Sequence, residues 1–121
     1  MKKIIIALLL AIFLIGCGES SVITPLQAVK MMEEDSTIVL VDVRTYEEYV
    51  TERIPNAVLV PLTTLESSAE AKIPDKEVTY IVYCRSGNRS ATAVSELKAL
   101  GYKHVYDLGG IINWPYETIK G

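Results

Sequence analysis

The chain has 121 residues, 50% of them hydrophobic, and a formal net charge of −3 at pH 7. This length suits a single domain with one hydrophobic core. An acidic chain without a basic run excludes nucleic acid as a partner and argues against electrostatic attachment to a membrane. The two cysteines and one histidine are too few and too far apart for a metal site, and we expect neither a metal nor a cofactor.

The first residues have the pattern of a signal peptide. Lys2 and Lys3 precede a continuous apolar run over 4–15. As a helix, this run would extend about 18 Å, too short to cross a hydrocarbon core of about 30 Å. The sequence Leu14-Ile15-Gly16-Cys17 resembles the lipobox of bacterial lipoproteins. That resemblance implies a signal peptide over 1–16, a lipidated Cys17, a tether over 17–21 and an exported protein anchored in the cell envelope. An uncleaved anchor and ordinary secretion are the alternatives.

Apolar runs and helix-start signals alternate along the rest of the chain. Thr24-Pro25-Leu26-Gln27 has the pattern of a capping box, and we expect Leu26, Val29 and Met32 on the inner face of its helix. Thr45-Tyr46-Glu47-Glu48 repeats that pattern. The predicted elements are, in chain order, an edge strand at 22–23, a helix at 24–34, a strand at 38–41, a short helix at 45–51, a strand at 57–60, a looser helix at 62–71, a strand at 78–83, a helix at 91–100 and a strand at 104–108.

This alternation predicts an α/β fold over 22–121: a small parallel β-sheet flanked by helices on both faces. In such folds the ligand crevice lies outside the carboxyl ends of the strands. Asp42 and Cys84 both follow such ends. We therefore expect the functional site at that edge of the sheet.

Cys84 lies between an apolar strand and the start of a helix. Unpaired backbone N–H groups and the positive end of a helix dipole meet at such a place. The loop after it adds Arg85 and Arg89 without any acid of its own. A thiol in this setting should ionise easily, and the thiolate is the nucleophile. A disulfide with Cys17 is the alternative, which a lipid thioether on Cys17 would exclude.

The run Tyr83-Cys84-Arg85-Ser86-Gly87-Asn88-Arg89-Ser90 resembles the active-site loop of rhodanese-domain sulfurtransferases at every position. The similarity covers nearly all of 22–121. Its further elements are Val41-Asp42-Val43-Arg44, Glu47-Glu48-Tyr49, Ile54-Pro55-Asn56-Ala57, and Gly109-Gly110 with Trp114. The chain departs from the family at Glu52-Arg53, where Gly-His often stands.

The resemblance implies sulfur transfer with Cys84 as the catalytic residue. Cys84 would take a sulfane sulfur from an anionic donor such as thiosulfate and pass it from a persulfide to cyanide or a thiol. The residues expected to bind substrate are Arg85, Ser86, Gly87, Asn88 and Arg89. The residues expected to hold the binding residues in place, without touching the substrate, are Asp42, Arg44 and Ser90.

Two other functions are consistent with these residues. The first is a rhodanese-fold module that binds or senses a partner without turnover. The second is a phosphatase or arsenate reductase. Cysteine-dependent tyrosine phosphatases have a similar loop, but with five residues between its Cys and its Arg. Four residues separate Cys84 from Arg89, and a smaller loop suits a single sulfur better than a tetrahedral phosphate.

Overall fold

The computed structural model describes residues 21–121. The predicted signal peptide over 1–16, the lipidation site Cys17 and all but the last residue of the tether over 17–21 lie outside the described residues. No helix within 21–121 combines the length and the apolar character needed to cross a bilayer.

The predicted helices and the predicted strands at 38–41, 57–60, 78–83 and 104–108 occur in the expected order, and the structure adds two short strands that the sequence did not predict. The helices are α1 (Pro25–Glu34), α2 (Tyr46–Thr51), α3 (Leu65–Lys72) and α4 (Asn88–Ala99), with 3-10 turns at Leu62–Thr64 and Ile111–Asn113. The strands are β1 (Val39–Asp42), β2 (Glu52–Arg53), β3 (Val58–Leu59), β4 (Thr79–Cys84), β5 (His104–Gly110) and β6 (Ile119–Lys120). The predicted looser helix is therefore a 3-10 turn that continues into α3.

Four of these strands form one parallel sheet in the order β3-β1-β4-β5, which confirms the predicted fold class. Asp42 at the end of β1 lies opposite Tyr83 of β4. Strands β2 and β6 pair separately as a short antiparallel ribbon. The predicted edge strand at 22–23 is reduced to one parallel bridge between Val22 and Asp107 of β5.

Both predicted capping boxes are confirmed. The Thr24 hydroxyl accepts a hydrogen bond from the Gln27 amide at 3.0 Å, and the Gln27 side chain accepts one from the Thr24 amide at 2.8 Å. Thr45 and Glu48 make the same reciprocal pair at the start of α2. These side chains satisfy N–H groups that a helix start otherwise leaves without partners.

The predicted inner face of α1 is wrong at Leu26, which is 54% exposed. The helix packs on the sheet through Ala28, which is fully buried, and through the partly buried Met31 and Met32. Residues two positions apart on a helix point about 200° apart. Contact through Ala28 therefore turns Leu26 outward.

Each face of the sheet has its own apolar core. Helices α3 and α4 cover one face, where β4 contributes Tyr80, Val82 and Cys84. Helix α1 covers the other face, where β4 contributes Ile81 and Tyr83. Because side chains alternate along a strand, the neighbours Tyr83 and Cys84 lie on opposite faces of the sheet at its carboxyl edge.

Candidate active site

Cys84 ends β4 and is a free, buried cysteine, 1% exposed. Its Sγ accepts hydrogen bonds from the backbone N–H groups of Gly87, at 3.0 Å, and Ser90, at 3.2 Å. Both amides belong to the N-cap and first turn of α4, where N–H groups have no partner within the helix. Two donors aimed at one sulfur favour its anionic form.

Two glycines allow the backbone to close around this sulfur. Gly87 has φ +112°, a conformation that residues with a Cβ rarely adopt. Gly110, at the end of β5, is required by space, because a Cβ there would lie 2.2 Å from the carbonyl oxygen of Arg85. The end of β5 therefore packs directly against the loop. The family similarity included Gly109-Gly110, but the sequence did not reveal this contact.

The side-chain hydroxyl of Ser90 holds the first turn of α4 in place. Its Oγ lies 2.7 Å from Oδ1 of Asp107 and 3.0 Å from the carbonyl oxygen of Gly87. The same Asp107 oxygen accepts a hydrogen bond from the Gly109 amide at 2.9 Å. The predicted supporting role of Ser90 stays a prediction, and its observed contacts are those with Asp107 and Gly87. Asp107 was missed, although a single acid within an otherwise apolar strand was a usable signal.

The two loop arginines have different surroundings. Arg89 donates to Glu48 of α2 through both terminal nitrogens, at 2.8 and 3.0 Å. These hydrogen bonds lower the pKa of Glu48 from 4.5 to about 2. The loop itself holds no acid, as the sequence shows, but the fold brings one to it. Arg85 is exposed, and its guanidinium has no hydrogen bond or ion pair within residues 21–121. Ser86 and Asn88 are also exposed.

Asp42 and Arg44 form a buried ion pair on the other face of the sheet, with Nη2 and Oδ2 2.7 Å apart. Asp42 is fully buried and also accepts a hydrogen bond from the Tyr83 hydroxyl at 2.6 Å. That hydroxyl accepts from the Ile54 amide at 3.1 Å, and Arg44 donates to the Glu52 carbonyl at 2.6 Å. The pKa of Tyr83 is raised mainly by burial and secondly by the negative charge of Asp42. The hydroxyl therefore keeps its proton. These contacts hold the segments after β1 and β2 and do not reach Cys84.

A groove of about 550 Å³ opens beside the Cys84 loop. Its charged lining residues are Arg44, Glu47, Glu48, Glu52 and Arg85, and its larger apolar ones are Ile111, Ile112, Trp114 and Tyr116. A smaller pocket of about 250 Å³ includes Arg89 and Tyr46. In the part of the chain that the structure describes, no group of three or more His, Cys, Asp and Glu side chains could hold a metal ion.

Comparison with known proteins gives consistent matches. The rhodanese-like domain family matches residues 24–116. Thiosulfate sulfurtransferase PspE of Escherichia coli K12 is 35% identical over 81 residues, which cover 67% of this chain and 78% of that protein. The putative sulfurtransferase YtwF of Bacillus subtilis 168 is 37% identical over 87 residues, which cover 72% and 82%.

Solved structures agree with these sequence matches. A rhodanese from E. coli, solved with anions, superposes with a TM-score of 0.65 at 33% identity and covers 69% of this chain and 99% of its own. A rhodanese-like domain protein from Staphylococcus aureus superposes with a TM-score of 0.69 at 34% identity, covering 79% and 92%.

Proposed function

The chain belongs to the rhodanese-like domain family, and we propose that it moves a sulfane sulfur from thiosulfate to a thiol or cyanide through a persulfide on Cys84. The sulfurtransferases among its relatives support sulfur transfer as the class of reaction. The observation that carries the finer proposal is the pair of backbone N–H groups, from Gly87 and Ser90, aimed at the Cys84 sulfur.

In the first half-reaction the Cys84 thiolate attacks the outer sulfur of thiosulfate. A bond forms between Sγ and that sulfur while the sulfur–sulfur bond of thiosulfate breaks, and sulfite leaves with the electron pair. Arg85 is the residue best suited to dock the donor, because its exposed guanidinium has no partner within 21–121 and guanidinium matches a planar pair of anionic oxygens. Negative charge then resides on the outer sulfur of the persulfide.

In the second half-reaction an acceptor attacks that outer sulfur, and the bond between it and Sγ breaks. Sγ leaves as a thiolate, which the amides of Gly87 and Ser90 stabilise without moving. Because the donor product departs before the acceptor binds, the scheme predicts ping-pong kinetics.

The position of Glu48 argues against phosphatase chemistry at the same cysteine. A phosphatase needs an acid to protonate the leaving oxygen. Glu48 is bound to Arg89, and its pKa of about 2 keeps it ionised at neutral pH. Sulfur transfer with sulfite as the leaving group needs no such proton.

Mass spectrometry after incubation with thiosulfate tests the proposal. We expect the wild-type protein to gain one sulfur, about 32 Da, on Cys84, with release of one sulfite. Cys84→Ser should gain nothing while keeping the same unfolding transition. If the wild-type protein gains no sulfur, the chain is a binding module on this fold. If Cys84→Ser still transfers sulfur, Cys84 is not the nucleophile.

We also propose that the protein is exported and anchored to a membrane through lipid on Cys17. The proposal depends on Lys2, Lys3, the apolar run over 4–15 and the lipobox-like Leu14-Ile15-Gly16-Cys17. Bacterial cells that express the full chain should incorporate a labelled fatty acid into it, and Cys17→Ala should remove the label. Sulfur loading on Cys84 should survive that substitution. Absence of label in the wild-type protein would contradict the anchor.

A further inference from the structure

Two exposed side chains of opposite charge, Arg85 and Glu47, line the groove beside the Cys84 loop, and neither forms an ion pair within residues 21–121. Arg85 has no side-chain partner within residues 21–121, and the carboxylate of Glu47 has none there either. Within residues 21–121, the one hydrogen bond of Glu47 beyond those of its helix backbone is accepted by its backbone carbonyl from the Thr51 hydroxyl. Although both residues line one groove, they do not form an ion pair with each other.

The other charged residues of this groove are already engaged. Arg44 is paired with Asp42, and Glu48 is paired with Arg89. Glu52 accepts a hydrogen bond from the Thr118 hydroxyl at 2.7 Å. Among residues 21–121, Arg85 is thus the groove cation without an ion-pair partner, and Glu47 is the groove carboxylate without any partner, while Glu52 keeps its charge because its partner is a neutral hydroxyl.

The size and lining of the groove indicate what kind of molecule fits. A volume of about 550 Å³ far exceeds what cyanide requires, and Ile112, Trp114 and Tyr116 give one side of the groove an apolar surface. A small dianion such as thiosulfate can bind Arg85, but it has no group that could bind Glu47. A molecule that carries both an ammonium and a carboxylate satisfies both residues at once.

We propose that the groove selects a small zwitterionic thiol, of the amino-acid type, as the sulfur acceptor. Its carboxylate binds Arg85 and its ammonium binds Glu47, which leaves its thiol to approach the Cys84 persulfide. The inference rests on the sulfur transfer proposed above. Arg85 then serves both half-reactions in turn, because the donor product leaves before the acceptor enters.

The transfer step balances without any further reagent. The acceptor sulfur forms a bond to the outer sulfur of Cys84–S–S⁻, and the bond from that sulfur to Sγ breaks. Sγ departs as the thiolate with the electron pair, and the proton of the acceptor thiol remains on the new persulfide. The acceptor sulfur is formally oxidised by the same amount as Sγ is reduced, so no external oxidant is needed, and Cys84 returns to its starting state.

Four thiols that differ only in their charged groups test the proposal. They are cysteine, with both charges; cysteamine, with the ammonium alone; 3-mercaptopropionate, with the carboxylate alone; and 2-mercaptoethanol, with neither. The protein is first loaded with sulfur and its loaded fraction measured by mass. The rate of sulfur loss is then followed with each thiol. Each thiol is compared only between protein variants, so differences in intrinsic reactivity cancel.

The two groove residues should give opposite patterns. Arg85→Gln should slow unloading by cysteine and by 3-mercaptopropionate about threefold, the size expected for an exposed ion pair. Glu47→Gln should slow unloading by cysteine and by cysteamine about threefold. The rate with 2-mercaptoethanol, which carries neither charge, is the reference within each variant, and the losses with the charged thiols are taken relative to it. Raised salt should shrink both effects, because exposed charges are screened.

Matched charge changes elsewhere serve as controls. Lys30→Gln on α1 and Glu66→Gln on α3 alter exposed residues away from the groove, and they should leave all four rates unchanged. The inference is overturned if each groove variant changes all four rates by the same factor. Failure of the wild-type protein to take up sulfur would overturn the proposed function and this inference with it, whereas equal unloading after normal uptake overturns only the inference.

Discussion

The Asp42–Arg44–Tyr83 network and the Cys84 loop lie at the same edge of the sheet, on opposite faces, and differ in how their polar groups are satisfied. In the network, the Asp42 carboxylate accepts hydrogen bonds from the Arg44 guanidinium at 2.7 Å and from the Tyr83 hydroxyl at 2.6 Å. In the loop, the Gly87 and Ser90 amides converge on a single sulfur, and Arg85 is left without a partner in the described chain. The first arrangement fixes the architecture. The second leaves binding capacity for an anion that enters and leaves.

This contrast explains why two adjacent residues of one strand have separate roles. Tyr83 and Cys84 follow each other in β4, and strand alternation sends them to opposite faces. Tyr83 therefore supports the segments around Asp42 and Ile54, while Cys84 faces the start of α4. Substitutions on the two faces should separate stability from sulfur chemistry.

The largest effect on stability should come from Asp42→Asn. The substitution leaves the buried Arg44 without its counter-charge, which costs about 3–5 kcal/mol of unfolding free energy. Urea unfolding measures this loss. Glu70→Gln, which breaks the exposed pair with Lys76, is the matched control and should cost under about 1 kcal/mol. Sulfur loading per folded molecule should be retained in Asp42→Asn. Loss of loading without loss of stability would show that Asp42 takes part in the chemistry, and would contradict the separation of the two faces.

Gly110→Ala should affect the loop face more than the fold. The added Cβ would lie 2.2 Å from the Arg85 carbonyl oxygen, so the loop must move. We expect a loss of about 1–3 kcal/mol in unfolding free energy and at least about tenfold slower sulfur loading, since the amides no longer converge on Sγ. Gly101→Ala, strained by φ +101° but remote from the loop, controls for destabilisation alone. Equal loading by the two variants would mean that the loop geometry does not set the rate.

The smallest effect should come from Glu48→Gln, which removes the partner of Arg89 but keeps an acceptor for the Thr45 amide. Above pH 4.5 the variant should be less stable than wild type by about 1 kcal/mol, the value for a partly exposed pair. The pKa of Glu48 is about 2 when folded and 4.5 ordinarily. A lowered carboxylate pKa stabilises the fold above the unfolded value, and this contribution is lost as the pH falls from 4.5 toward 2.

Unfolding free energies of the two proteins at several pH values measure this difference. The curves should run parallel above pH 4.5 and converge below it. Curves that stay parallel down to pH 2 would show that the ion pair contributes nothing to stability.

Several features of this fold were accessible from local sequence. The capping boxes at Thr24 and Thr45 join residues three positions apart, so a short segment contains both partners. Cys84 could be placed at a strand end because an apolar run stops there and a helical pattern follows. The wrong inner position, Leu26, shows the limit of that approach: periodicity finds an apolar stripe, but the residue that touches the sheet depends on how closely the helix packs.

The parts of the candidate site that the sequence left undefined are contacts between distant segments. Glu48 and Arg89 are 41 positions apart, and Ser90 and Asp107 are 17 apart. The Glu47-Glu48-Tyr49 run gave no sign that Glu48 would pair with a loop arginine while Glu47 would not. Gly110 was visible in the sequence only as part of the family similarity, and its close approach to Arg85 depends on the parallel register of β4 and β5.

The fold class, the order of the main elements and the position of Cys84 before a helix start are readable from the amino-acid sequence, because they depend on neighbouring residues. Which charges are neutralised within the protein, and which stay available, follows from the packing of distant segments. That distribution depends on which strands lie side by side and which face each side chain takes. It assigns Arg89 to Glu48 and Arg44 to Asp42, and leaves Arg85 and Glu47 facing the groove.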